Sequence, residues 1–148
     1  LHPEVIWLPE LMEELSHDFT AIAAEKGLSF RVKSVPAAVC TDPLLLKRAL
    51  KNLITNAIKF TSVGEIHFGF QKKADMVQFY ISDTGKGIPA ERVATIFQRF
   101  GKIDDFVQGT GLGLTICRML VEKMGGRIWV RSKQGEGTVF YFTLPMAK

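Results

Sequence analysis

The order of apolar patterns along this chain predicts an α/β (α+β) two-layer sandwich: one mixed, mostly antiparallel sheet covered on one face by three helices. Three observations predict it. Apolar residues recur at helical spacing in three stretches, they alternate with polar residues in several shorter runs, and the chain closes on a hairpin turned by glycines.

The elements follow in order. EVIWL reads as a strand, and PELMEELSHDFTAIAAEKG as an amphipathic helix with Leu11, Leu15, Phe19 and Ile22 on one side, stopped by Gly27. LSFRVKSV is a second strand. A second helix starts near Thr41 or Asp42, either of which can cap it, and Pro43 fits its first turn, where a missing N–H costs nothing. Its apolar stripe is Leu46, Ala49, Leu50, Leu53, Ile54 and Ala57. GEIHFGFQKK and DMVQFYISD are the next strands. The longest irregular stretch, 90–108, is expected to be a mobile lid. The third helix carries Leu114, Cys117, Leu120, Val121 and Met124, with a stop at Gly125, and RIWVRSKQGEGTVFYFTLP is the final hairpin.

Composition sets the frame. A chain of 148 residues, 47% hydrophobic, is expected to form a single domain over 1–148 with a real core. The net charge of +4 is spread over scattered Lys and Arg, with no aromatic-interleaved basic tract, so nucleic acid is not indicated. No apolar run approaches the roughly 20 residues of a membrane helix, no signal peptide is read, and no membrane contact by this domain is expected. Cys40 and Cys117 do not make a disulfide framework.

Three segments carry chemistry. On the second helix, Asn52, Asn56 and Lys59 share one narrow sector away from the apolar stripe. Neutral amide oxygens suit Mg²⁺, which shares its shell with water and phosphate, and a lysine one turn on can reach the same phosphates. In VQFYISD, alternation puts Asp83 on the face of Val77, Phe79 and Ile81. A carboxylate on a buried face needs a partner, and the exocyclic amine of adenine, a donor, is suitable. Gly85 and Gly87 then let the backbone turn and approach a flat ligand. In GTGLGL, residues 109–114, a glycine loop runs into a helix start, which favours an anion such as phosphate. The spacing is neither G-x-G-x-x-G nor a P-loop with Gly-Lys-Ser/Thr. Together the segments supply the parts that hold ATP with Mg²⁺.

These residues resemble the catalytic and ATP-binding domain of sensor histidine kinases, within the ATPase superfamily shared with gyrase and heat-shock chaperones. NLITNAIKF matches the N box, DTGKGIP the G1 box, IFQRF the F box and GTGLGL the G2 box, while GEGTVFYFTLP fits the last hairpin, so the likeness covers 42–145. The resemblance implies a Bergerat-type fold, ATP and Mg²⁺ as ligands, and roles by position. Asn56 matches the metal ligand, and Asn52 lines the same phosphate and metal region. Lys59 matches a phosphate-contacting lysine, and Phe60 the aromatic flanking adenine. Asp83 matches the acid that reads the adenine amine, and Gly85, Gly87 and Ile88 the wall beneath the base. Gly109, Thr110, Gly111, Leu112, Gly113 and Leu114 match the phosphate-side loop, and Thr138 the hydroxyl that supports Asp83. Lys102 stands where related kinases carry a lid arginine aimed at the γ-phosphate. Lysine keeps the charge but loses the planar fork. Asn52, Lys59 and Lys102 are thus the residues expected to act on the transferred phosphate.

Gyrase-like and chaperone ATPases place a glutamate at the position of Asn52 to activate water. An amide cannot be that base, so the chain is expected to hold ATP for transfer rather than hydrolyse it quickly. The resemblance implies a histidine on a dimerisation domain of the parent chain as acceptor, and a response-regulator receiver domain beyond it. It also implies a cytoplasmic domain, whose parent can be anchored in the inner membrane. Ser16-His17-Asp18-Phe19 is similar to the phosphoacceptor motif but lacks its proline, and 18–41 is too short for a second hairpin helix and a strand. His17 therefore reads as an exposed helix residue, and the chain as a catalytic fragment without its dimerising helices. A regulatory nucleotide-binding module and an anti-sigma-type serine kinase share the same boxes and are the alternatives.

Overall fold

A computed structural model describes residues 1–93, 95–96 and 112–147. The elements are β1 (Glu4–Trp7), α1 (Leu8–Glu25), β2 (Ser29–Lys33), β3 (Ala38–Thr41), α2 (Pro43–Phe60), β4 (Glu65–Lys73), β5 (Met76–Asp83), α3 (Ala90–Val93), α4 (Leu112–Lys123), β6 (Arg127–Lys133) and β7 (Gly137–Pro145). Five strands form the main sheet in the order β2-β4-β5-β7-β6. β2 and β4 run parallel and the other neighbours antiparallel, the mixed sheet expected.

Two-residue alternation decides which face of the sheet is covered. Ile66, Phe68 and Phe70 of β4, Val77, Phe79 and Ile81 of β5, and Phe140, Phe142 and Leu144 of β7 are each at most 2% exposed. They share one core with the apolar sides of α1, α2 and α4. Phe79 and Phe142 stack across strands at 4.6 Å, adding an aromatic contact to the area they bury.

α2 is the helix on which the site depends. Asp42 caps it by accepting from the Leu44 N–H at 2.9 Å, and its other oxygen accepts from the His2 N–H at 3.0 Å. These backbone donors hold its carboxyl below the usual range. All six residues of the expected stripe are buried. At the far end, the Lys26 ammonium donates to the carbonyls of Ile58, at 2.5 Å, and Lys59, at 3.2 Å, which lack intrahelical partners. The end of α2 is thus tied to the end of α1.

Three expectations are corrected. β1 leaves the main sheet and pairs antiparallel with β3 in a separate two-stranded sheet, Glu4 opposite Thr41 and Trp7 opposite Ala38. β3 itself was not expected, because AVCT is too short after Pro36 to display alternation. On α1, Ala23 is buried where Ile22 was expected, and Ile22 is 47% exposed. Four residues on from Phe19, not three, continues the stripe. The stretch expected to be irregular from residue 90 opens with the short helix α3, and Ile96 is buried in the core. The rest of the expected lid lies outside the described residues.

Candidate functional site

Strand alternation carries Asp83 to the covered face at the end of β5, where it is only 5% exposed. Its Oδ1 accepts from the Gly85 N–H at 2.9 Å, while Oδ2 is buried with no hydrogen-bond partner among the described residues. Burial raises the Asp83 pKa above the ordinary 3.8, opposed by the backbone of Gly85 and Thr138 and by the nearby Thr61 hydroxyl. That hydroxyl, fully buried, makes no hydrogen bond of sound geometry and is itself unpartnered. Buried oxygens normally have partners, so an acceptor left over beside a second orphan marks a place for a donor from a ligand. The neighbouring backbone leaves room for no side chain. A Cβ on Gly85 would lie 2.6 Å from the Phe60 carbonyl oxygen and 3.0 Å from Asp83 Oδ1.

The segment after Asp83 lies against the β6–β7 turn. The Gly135 N–H donates to the Lys86 carbonyl at 2.7 Å, and the Ile88 N–H to Ser132 Oγ at 2.7 Å. Gly87 has φ +75° and a Cβ there would overlap the Lys133 carbonyl, so both its conformation and its space require glycine. Ile88 is buried in the core. Thr138 sits opposite Asp83 in register. Its hydroxyl, however, lies 2.8 Å from Ser132 Oγ, and it is the Thr138 backbone that serves the carboxylate. Sequence reading missed Ser132 and Thr61. The available signals were a polar residue on the inward row Ile128, Val130, Ser132, and a hydroxyl immediately after the last turn of α2.

α2 packs across β5 and against α4. Asn52 and Asn56 are half-buried and Lys59 is exposed, spaced along one side of the helix as expected. Neither amide has a hydrogen-bond partner among the described residues, which leaves both oxygens for a ligand. Phe60 is half-buried in a cavity of about 210 Å³ together with Lys59, Ser62, Val63, Thr84, Gly85 and Lys86. That cavity does not include Asn52, Asn56 or Asp83, so the described residues form walls rather than a closed pocket. On α4, Leu114 is buried and Gly113 has open space around its Cα. Lys102, Gly109, Thr110, Gly111 and the side chain of Leu112 lie outside the described residues. Among those described, no three His, Cys, Asp or Glu side chains are grouped to hold a metal. The donor set that is present, uncharged amide oxygens on a helix, fits a hard cation sharing its shell with phosphate and water.

Residues 41–148 match the family described as histidine kinase-, DNA gyrase B-, and HSP90-like ATPase. The chain belongs to that ATPase family. Among relatives, it is 37% identical to the adaptive-response sensory kinase SasA of Crocosphaera subtropica, over 99% of this chain and 40% of that protein. It is 36% identical to the sensor histidine kinase RcsC of Escherichia coli (strain K12), over 93% of this chain and 15% of that protein. The chain thus spans well under half the length of these curated relatives. Among solved structures, the catalytic domain of histidine kinase ThkA superposes with a TM-score of 0.86 at 31% identity, covering 98% of this chain and 96% of that one. Full-length ShkA in complex with AMPPNP gives 0.90 at 29% identity, covering all of this chain and 32% of that one. The two-layer fold is that of the family's kinase catalytic domains. Among the described residues, no helix is long and apolar enough to cross a membrane.

Proposed function

We propose that this chain is the ATP-binding catalytic domain of a sensor histidine kinase, donating the ATP γ-phosphate to a histidine on a separate dimerisation domain for onward transfer to a response-regulator aspartate. The observation that carries it is the buried Oδ2 of Asp83, unpartnered among the described residues, beside Gly85, where a Cβ would meet the Phe60 carbonyl. An amine N–H of adenine satisfies that oxygen, and Ile88 and Phe60 supply apolar surface for the base. The relatives named as sensor kinases favour this reading over a regulatory module or a serine kinase.

In this reading α2 serves the phosphates. Asn56 would hold Mg²⁺, with Asn52 one turn earlier lining the same phosphate and metal region, and the ion would neutralise charge building on the phosphate oxygens. Lys59 contacts the phosphate chain, and the glycine loop at 109–113 and the start of α4 offer N–H groups to it. Lys102 carries a positive charge toward the γ-phosphate. No carboxylate stands at the position of Asn52, so water is not activated and the phosphoryl group waits for a nucleophile brought in line. The domain is cytoplasmic and forms one unit over 1–148. His17, exposed on α1, is not the acceptor.

The experiment is phosphotransfer from γ-labelled ATP with acid-labile phosphohistidine detection. The chain alone incorporates no stable label, and a histidine-bearing helical hairpin from a homologous kinase becomes labelled when both are mixed with Mg²⁺. Labelling of the isolated chain that vanishes in His17→Ala overturns the reading, as does label found only on serine.

A further inference from the structure

The segment read as the adenine wall is held to the β6–β7 hairpin by the side chain of Ser132. We infer that Ser132 is a positioning residue for adenine recognition, its hydroxyl fixing the Asp83–Ile88 segment to the β6–β7 hairpin. The inference rests on the ATP-site reading of Asp83.

The hydroxyl makes three contacts: Ile88 N at 2.7 Å, Gly137 O at 3.0 Å and Thr138 Oγ1 at 2.8 Å. A serine hydroxyl has one proton and two lone pairs. The Ile88 N–H can only donate and the Gly137 carbonyl can only accept. Ser132 therefore gives its proton to Gly137 and receives one from Ile88, and the Thr138 hydroxyl must donate the third bond. All of Ser132's capacity is used, and the Thr138 proton is committed to Ser132.

The rest of the tie is backbone. The Gly135 N–H meets the Lys86 carbonyl, and Gly137, at φ +134°, lets its chain lie directly on the Asp83 carbonyl, where a Cβ would overlap. These contacts bring hairpin and loop together but do not fix the Ile88 peptide, which has Ser132 as its partner. Ile88 is buried against the core and Ser132 is half-buried, so the bond is partly shielded from water. Losing the hydroxyl frees the Ile88 peptide to rotate. That change acts on the adenine end of the site and not on the phosphate end.

The test measures ATP and GTP binding by calorimetry in the unmodified chain, Ser132→Ala and Ser132→Thr, together with the melting temperature of each. The expected result is an ATP affinity about 3- to 10-fold weaker in Ser132→Ala, from one to two ordinary hydrogen bonds, with GTP binding unchanged, so that the ATP:GTP preference falls. Ser132→Thr restores the preference. A folded Ser132→Ala chain with the original preference overturns the inference, as does equal loss for both nucleotides, which is the mark of general destabilisation. Should the alanine variant fail to fold, amide exchange in the unmodified chain decides: an Ile88 amide exchanging at the rate of an unstructured peptide overturns the inference, and protection supports it. An unmodified chain that binds neither nucleotide refutes the ATP-site reading itself, a result distinct from unchanged preference in the variant.

Discussion

Replacing Asp83 by asparagine should stabilise the empty protein and at the same time invert its nucleotide preference. Asp83 Oδ1 is committed to the Gly85 N–H at 2.9 Å, so the asparagine carbonyl must take that place. The amide NH₂ is then forced to where the unpartnered Oδ2 stood. Facing adenine, it opposes one donor with another. A hydrogen bond to a charged acceptor contributes about 1.5–3 kcal/mol, so ATP affinity should fall roughly 10- to 150-fold. Facing guanine, the same NH₂ meets the carbonyl acceptor that Asp83 repels, and GTP should bind more tightly than it does to the unmodified chain. Stability moves the other way because burial raises the Asp83 pKa above 3.8. Between that value and the raised one, the folded chain holds more protons than the unfolded chain, so stability falls as pH rises through the window and stays lower above it. Asparagine removes this ionisation. Its gain in melting temperature should be present at pH 7 and vanish below about pH 3.8. Calorimetry with both nucleotides and a melting series across pH check the two halves. A folded variant with unchanged ATP affinity refutes the adenine role of Asp83, and a variant less stable at pH 7 refutes the claim that its carboxylate is held there at a cost.

Asn56→Ala should abolish Mg²⁺-dependent use of ATP while melting within a few degrees of the unmodified chain, since the amide is half-buried and makes no hydrogen bond to the described residues; transfer rates measured with and without Mg²⁺ check this. Leu53→Ala, at a position with no exposed surface between α2 and the sheet, should cost about 2–5 kcal/mol in urea unfolding by leaving a cavity in the core. Cys40 is exposed and Cys117 buried, with the Cys117 thiol pushed up to about 12 by burial. A maleimide at pH 8 should therefore label Cys40 alone in the folded chain and both residues in urea, as mass spectrometry of the peptides will show.

What the sequence made legible was set by period and by chemistry that depends on single positions. The α2 stripe could be read residue by residue because the helix buries one continuous side, and Asp83 because β5 alternates without interruption. β3 escaped because four residues are fewer than a period-2 pattern needs to stand out, and its pairing with β1 is a contact between distant segments that no local pattern encodes. Ile22 was misplaced by one residue, since a helix of 3.6 residues per turn leaves steps of three and four equally open until packing chooses. At the site, residue types foretold which groups would face a ligand but not which group holds which. The hydroxyl of Thr138 was expected at Asp83, yet the register of β6 and β7 places Ser132 beside it and takes the proton. Hydrogen-bond direction within such a cluster follows from three strands meeting in space, and one sequence does not contain it.

The most direct measurement of the central claim is a crystal structure of this chain with a non-hydrolysable ATP analogue and Mg²⁺. The account predicts the exocyclic amine of adenine within about 2.7–3.2 Å of Asp83 Oδ2, the base lying against Ile88, and the metal on the Asn56 amide oxygen. An analogue bound with Asp83 Oδ2 still unpartnered, or a metal held away from α2, would contradict it.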